Sequence, residues 1–205
     1  LYILQGNFGI ARAYPWCDVT GTYVNGRSQE DVAQGPTGFL LLDQTSPAPV
    51  SIAQINDNAI VGGAPLTADE LVVMAYQGII AGARAIGVFA DYYGPDAPES
   101  GIEHAPWSAA MPQLAEEIRA LLPVLRTPRG KVWMQGGLEL GLRTEPDGTR
   151  WLFVVNPSMA ASADSLVFAN AQRAVNHRTQ EIRATEPLAI ELGPLSTEIW
   201  RIDPK

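Results

Sequence analysis

Cys17 is the only cysteine, so the chain can form neither an intrachain disulfide nor a thiolate metal cluster, and its cysteine usage assigns no compartment. Histidine is nearly as scarce. His104 and His177 are the only two, and no spacing of His, Cys and carboxylates reads as a metal site. Lys and Arg number 14 against 22 Asp and Glu, for a formal charge of −8, and they form no basic run. Polyanion binding relies on clustered cations, so this balance argues against nucleic acid and anionic membrane as partners. The longest apolar runs, such as 38–42 and 71–76, fall far short of the ~20 residues that a membrane helix needs. No glycine-rich element follows the strand-turn-helix grammar of a phosphate-binding loop, and Gly62-Gly63 reads as plain loop, so no cofactor is implied. What remains is a globular chain of 205 residues, 46% hydrophobic, enough for one large domain or a domain and a half.

The most informative stretch is 49–93. A short apolar strand, Pro49 to Ile55, runs out into Asn56-Asp57-Asn58, and a second, Ala85 to Ala90, runs out into Asp91-Tyr92-Tyr93. Between them Thr67-Ala68-Asp69-Glu70 is a capping box that starts a helix at Thr67. Leu71, Met74, Ala75, Gly78, Ile79 and Gly82 recur at helical spacing, and Val72, Val73 and Ile80 widen the stripe until most of the helix must be buried. Gly78 and Gly82 are expected to let it lie close on a sheet. Together these parts form one parallel β-α-β unit with polar side chains at both strand exits, and in barrels and open α/β sheets that end of the strands is the active face.

Elsewhere, 17–23 reads as a strand, 25–34 as a polar stretch, and 38–43 as an apolar piece whose periodicity fits helix or strand. The segment 94–101 is a loop rich in Pro and Gly. A helix is expected over 108–125, with Leu114, Ile118, Leu121, Leu122 and Leu125 on its apolar face, Glu116, Glu117 and Arg119 in solvent, and Pro112 in its first turn. Residues 127–130 read as a linker. Beyond Lys131 the pattern alternates: strands over 137–144 and 151–155 should form a hairpin around Pro146-Asp147-Gly148-Thr149, and later strands are expected at 165–169, 173–175, 188–192 and 197–202. This makes a second, antiparallel domain over 131–205.

The order of parts resembles the C-terminal half of a (β/α)8-barrel glycoside hydrolase of the β-galactosidase-like clan, followed by its small antiparallel β-sandwich domain. Asp18-Val19-Thr20-Gly21 is similar to the sixth strand of such barrels, Pro49 to Gln54 to the seventh, Pro65 to Leu71 with Met74 to Gln77 to the helix after it, and Gly82 to Phe89 to the eighth. Leu188 to Ile202 resembles the closing strands of the accessory domain. The resemblance implies the fold class α/β, a half-barrel over 1–126, a missing N-terminal half-barrel and a carbohydrate as substrate or ligand. The start at Leu1, without methionine or leader, reads as internal, whether of a fragment, a processed chain or one part of a split protein.

In retaining enzymes of this kind an acid protonates the leaving oxygen and a carboxylate about 5–5.5 Å away attacks the anomeric carbon. By resemblance the nucleophile belongs on the seventh strand, where this chain has Gln54, an amide that can hydrogen-bond a sugar hydroxyl but cannot attack. Asp57 and Asp91 are the candidate catalytic carboxylates in its stead. Each has a plainer reading, Asp57 as a turn or cap residue in an Asn-Asp-Asn run and Asp91 as a loop cap. Tyr92, Tyr93 and Trp107 offer aromatic faces for a sugar ring, or else cover the end of the core. His104 is a candidate acid-base or substrate-binding group, or a surface residue beside Glu103; His177 reads as structural. Two functions stand: a glycoside hydrolase in the complete parent protein, with this segment inactive alone, or a noncatalytic glycan-binding or structural relative. A half-barrel with uncovered sheet edges exposes unpaired backbone, so isolated residues 1–126 are expected to aggregate or to require a partner chain; a cooperatively melting monomer in size-exclusion and calorimetric runs would contradict this.

Overall fold

The structure, a computed structural model, describes residues 2–5, 19–25, 50–56, 66–83, 85–89 and 105–205, with side chains over 66–83, 86–88 and 105–205. The chain divides into two compact units, Leu1–Glu117 and Ile118–Lys205, the division falling within a helix.

In the first unit four strands, β1 (Tyr2–Gln5), β2 (Val19–Asn25), β3 (Val50–Asn56) and β4 (Ala85–Phe89), form one sheet in the order β1-β2-β3-β4. Every pairing is parallel. Spatial order follows chain order without reversal, so each crossover advances the sheet in the same direction. β2 lies two residues beyond the predicted 17–23, and its exit is therefore Val24-Asn25 and not Tyr23. The ambiguous segment 38–43 and the loop 94–101 lie outside the described residues.

Helix α1 (Ala68–Ala81) joins β3 to β4 and packs on β3. It begins as the sequence predicts. The Thr67 amide donates to Glu70 Oε2 at 2.8 Å and the Glu70 amide to Thr67 Oγ1 at 3.2 Å, closing the capping box. Leu66 and Leu71, at the two positions of a hydrophobic staple, are both fully buried. Burial continues from Val73 through Ala81 around the whole circumference, which takes Tyr76 and Gln77 out of solvent as well. The helix ends at Gly82, which is a cap and not the packing glycine expected. With φ of 99° it sits in the left-handed region, and the amides of Gly82 and Ala83 donate to Ile79 and Gly78 in a Schellman arrangement.

A 3₁₀ turn (Ser108–Ala110) leads into α2 (Met111–Leu125), which therefore begins three residues later than expected. Leu122 is 39% exposed, while Val124 is buried. The buried side runs through Leu114, Leu121 and Val124, tipping the apolar face away from Leu122. Glu117, expected in solvent, accepts a 2.5 Å hydrogen bond from the buried Tyr76 hydroxyl. Pro123 lies in the last turn, where its lack of an N–H leaves only the Arg119 carbonyl without an intrahelical donor.

The second unit is antiparallel. β5 (Arg129–Gln135), β6 (Leu138–Thr144), β7 (Arg150–Asn156), β9 (Ala171–Asn176), β10 (Ile182–Arg183) and β12 (Ser196–Pro204) form a six-stranded sheet in the order β10-β9-β12-β7-β6-β5, and β8 (Ser162–Leu166) pairs with β11 (Leu188–Leu192). Leu138, Leu140, Leu152, Val154, Trp200 and Ile202 from the first sheet share one core with Leu166, Leu188, Ile190 and Leu192 from the second. Phe153, Val155 and Ile199 alternate with these on β7 and β12 and are equally buried, so the centre of the larger sheet is covered on both faces. The β6–β7 hairpin turns where predicted, with Thr149 N donating to Asp147 Oδ1 at 2.9 Å and Gly148 at φ 90°. Two predictions fail here. Residues 129–130 belong to β5 and not to a linker, and β8 precedes the predicted 165–169 because its Ser-Ala-Asp-Ser text carries no apolar alternation. Gly130 sits at an irregularity in the β5–β6 register, where a Cβ would lie 2.4 Å from the Leu142 carbonyl oxygen.

Two polar groups tie the unit together. Arg143, buried on β6, donates through Nη1 to the carbonyls of Thr127 at 2.7 Å and Leu125 at 3.2 Å, placing a cation on the C-terminal end of α2 where the helix dipole favours it. Asn156, fully buried at the end of β7, donates to the carbonyls of Ala160, Leu192 and Gly193 at 2.8, 3.3 and 2.7 Å and accepts from the Ser158 amide at 3.0 Å, binding the larger sheet to the end of β11. Truncating it orphans one buried carbonyl, that of Leu192, and two part-buried ones. Asn156→Ala is expected to lower stability by about 1–3 kcal/mol in urea unfolding, and an unchanged midpoint would remove Asn156 from this role. Tyr76→Phe, which leaves a part-buried carboxylate one donor short, is expected to cost about 1.5–3 kcal/mol in the same measurement; wild-type stability would show the Tyr76–Glu117 bond to be incidental.

Candidate functional site

The C-terminal ends of β2, β3 and β4 lie side by side because the strands are parallel and their register is continuous there. Tyr23 pairs with Gln54 and Gln54 with Gly87; two residues on, Asn25 pairs with Asn56 and Asn56 with Phe89. Successive residues of a strand belong to opposite faces, so these two rows share one face of the sheet. Gln54 thus stands one row before the end of the central strand of the three. The sequence does not single out Tyr23 and Asn25, because it reads as a strand that stops at Tyr23; the two-residue slip hides the row. Asn56 was visible only as the start of a polar run.

Of the other predicted site residues, Asp57 directly follows β3 in the chain and Asp91 follows β4 by two residues. Asp57, Asp91, Tyr92, Tyr93 and His104 all lie outside the described residues. Trp107 precedes the 3₁₀ turn, its carbonyl accepting from Ala110 N at 3.0 Å, and it is 1% exposed. So enclosed a ring has no open face. His177, in the second unit, meets the Trp151 ring edge-on at 5.6 Å.

Displaced titrating groups are found in the second unit, where they serve packing. Burial lowers the Arg143 pKa, and the neighbouring Arg129 charge lowers it further. Partial burial raises the Asp203 carboxyl, but hydrogen bonds from Arg173 at 2.7 Å and Arg201 at 2.9 Å, with their charges, outweigh it and hold the group below the usual carboxylate range. Among the described residues no group of three or more His, Cys, Asp or Glu could hold a metal ion, and no helix is long and apolar enough to cross a membrane.

No protein-family model matches the chain, and no curated protein matches it. Solved structures do. A structure described as a glycoside hydrolase superposes with a TM-score of 0.62 at 9% identity, over 100% of this chain and 57% of that one. AmyP, crystallised in complex with maltotriose, gives 0.58 at 10% identity, over 91% of this chain and 56% of that one. The chain thus spans a little over half the length of these structures, and at such identity the likeness is one of fold.

Proposed function

We propose that the chain is part of a carbohydrate-active protein, a glycoside hydrolase in its complete form, with β1 to β4 serving as the fifth to eighth strands of a (β/α)8 barrel over 1–126 and residues 131–205 as its β-sandwich domain. The observation that carries this reading is the sheet itself: four parallel strands in unreversed order, the order of a singly wound barrel and not of a doubly wound sheet, in a chain whose fold is similar to that of a glycoside hydrolase. The glycan would lie across the strand exits. Gln54 would hydrogen-bond a hydroxyl, Tyr92 and Tyr93 would supply an apolar platform, His104 would line the rim, and Trp107 would support the platform from within the core. Asp57 and Asp91 would supply carboxylates from the loops that follow β3 and β4. The missing half-barrel would bring the acid from the fourth strand.

A second reading is favoured by one residue. Gln54 occupies the position that the resemblance assigns to the nucleophile, and an amide there fits a barrel that binds glycans without turning them over. Turnover of nitrophenyl glycosides and polysaccharides by the complete parent protein, alongside Asp57→Asn and Asp91→Asn, separates the two. In the hydrolase reading one substitution lowers kcat by about 10²–10⁴-fold while sugar binding survives. Binding without turnover of any substrate would establish the noncatalytic reading.

A further inference from the structure

The four parallel strands contain not one charged residue. Alternation divides the paired parts of β2, β3 and β4 into two sets. One set, Thr22, Val24, Ala53, Ile55, Ile86 and Val88, is apolar but for Thr22, as suits a face covered by a helix layer. The other ends in two rows, Tyr23, Gln54 and Gly87, then Asn25, Asn56 and Phe89. Three amide residues, Asn25, Gln54 and Asn56, therefore fall on one face of the sheet at the strand exits, Asn25 directly paired with Asn56 across β2 and β3 and Gln54 paired with a glycine, Gly87.

An amide carries both donors and an acceptor, matching a sugar hydroxyl, which also gives and takes a hydrogen bond. A carboxylate or sulfate is bound by Arg or Lys, singly or as a bidentate fork, and neither residue occurs on these strands. A charged ligand would also carry the full cost of desolvation against uncompensated amides. We infer that Asn25 and Asn56, with Gln54, form an amide triad that selects a neutral polyhydroxylated ring, so that the site takes uncharged glycans and discriminates against uronic or sulfated ones. This rests on the strand exits being the glycan site, as proposed above, and adds to it the charge class of the ligand and two residues that read it.

The test is calorimetric titration of the complete parent protein with neutral oligosaccharides of glucose, galactose and arabinose, and with oligogalacturonate and a sulfated galactan, repeated on Asn25→Ala and Asn56→Ala with melting curves as a folding control. At least one neutral series is expected to bind, with the acidic sugars about tenfold or more weaker, and each alanine variant is expected to lose about tenfold in affinity, the loss of roughly one net hydrogen bond. Acidic sugars binding as tightly as neutral ones would overturn the inference on the unmodified protein, with the glycan site left standing. So would folded alanine variants of undiminished affinity. If no sugar of either class binds, the glycan reading fails and this inference with it.

Discussion

Parallel strands cannot be joined by a tight turn, and the first unit is organised by that constraint. A chain leaving the end of one strand must cross the sheet before it can begin the next, so the crossover must be a packed layer in its own right and all exits must open at one end. Both consequences are visible between β3 and β4. The crossover helix α1 is buried around its whole girth, which is why its text is apolar well beyond one stripe and why its two ends are closed so completely, by a capping box at Thr67 and by a left-handed glycine at Gly82. Its burial also explains Tyr76: a phenol that cannot reach water needs an acceptor, and Glu117 provides one from the next helix.

The second unit answers a different problem. Its larger sheet is buried on both faces along β7, so residues 152–155 form an unbroken apolar run, and the hydrophobic pattern that marks a half-exposed strand is lost there. Apolar contact is nondirectional and would tolerate several registers. Specific register comes from the buried polar groups, which are satisfied in one arrangement only: Asn156 by the carbonyls at the end of β11, and Arg143 by the last carbonyls of α2. Gly130 works by exclusion, since the β5–β6 approach at Leu142 leaves no room for a Cβ.

These features also mark what a single sequence discloses. The start of α1, the exit of β3 and the β6–β7 turn were legible because each is encoded locally, by Thr67 and Glu70, by the change from Ile55 to Asn56, and by Pro146 to Thr149. The start of β8, the strand character of 129–130, the exposure of Leu122 and the capping use of Gly82 were not, because each is decided by a neighbour distant in sequence or by a dihedral angle that periodicity does not carry. At the candidate site the loss was sharper. Gln54 could be found from its strand alone, but Asn25 becomes its neighbour only through the register of β2 on β3.

That register changes how Gln54 itself should be understood. Taken alone, an amide at a position where the resemblance calls for a carboxylate looks like a catalytic loss. Set between Tyr23 and Gly87, with Asn25 and Asn56 one row on, it belongs to described strands that carry no charged residue. A carboxylate at that register position would have no cation on the same strands to offset its charge. A nucleophile is better sustained where water or a loop can stabilise it. Under the function proposed above, recognition falls to the strand ends, and the carboxylates this chain offers are Asp57 and Asp91, which follow those ends in the sequence. On that proposal the sheet supplies shape and hydrogen bonds, and hydrolysis and binding without hydrolysis are alternatives set by the loops on one unchanged scaffold.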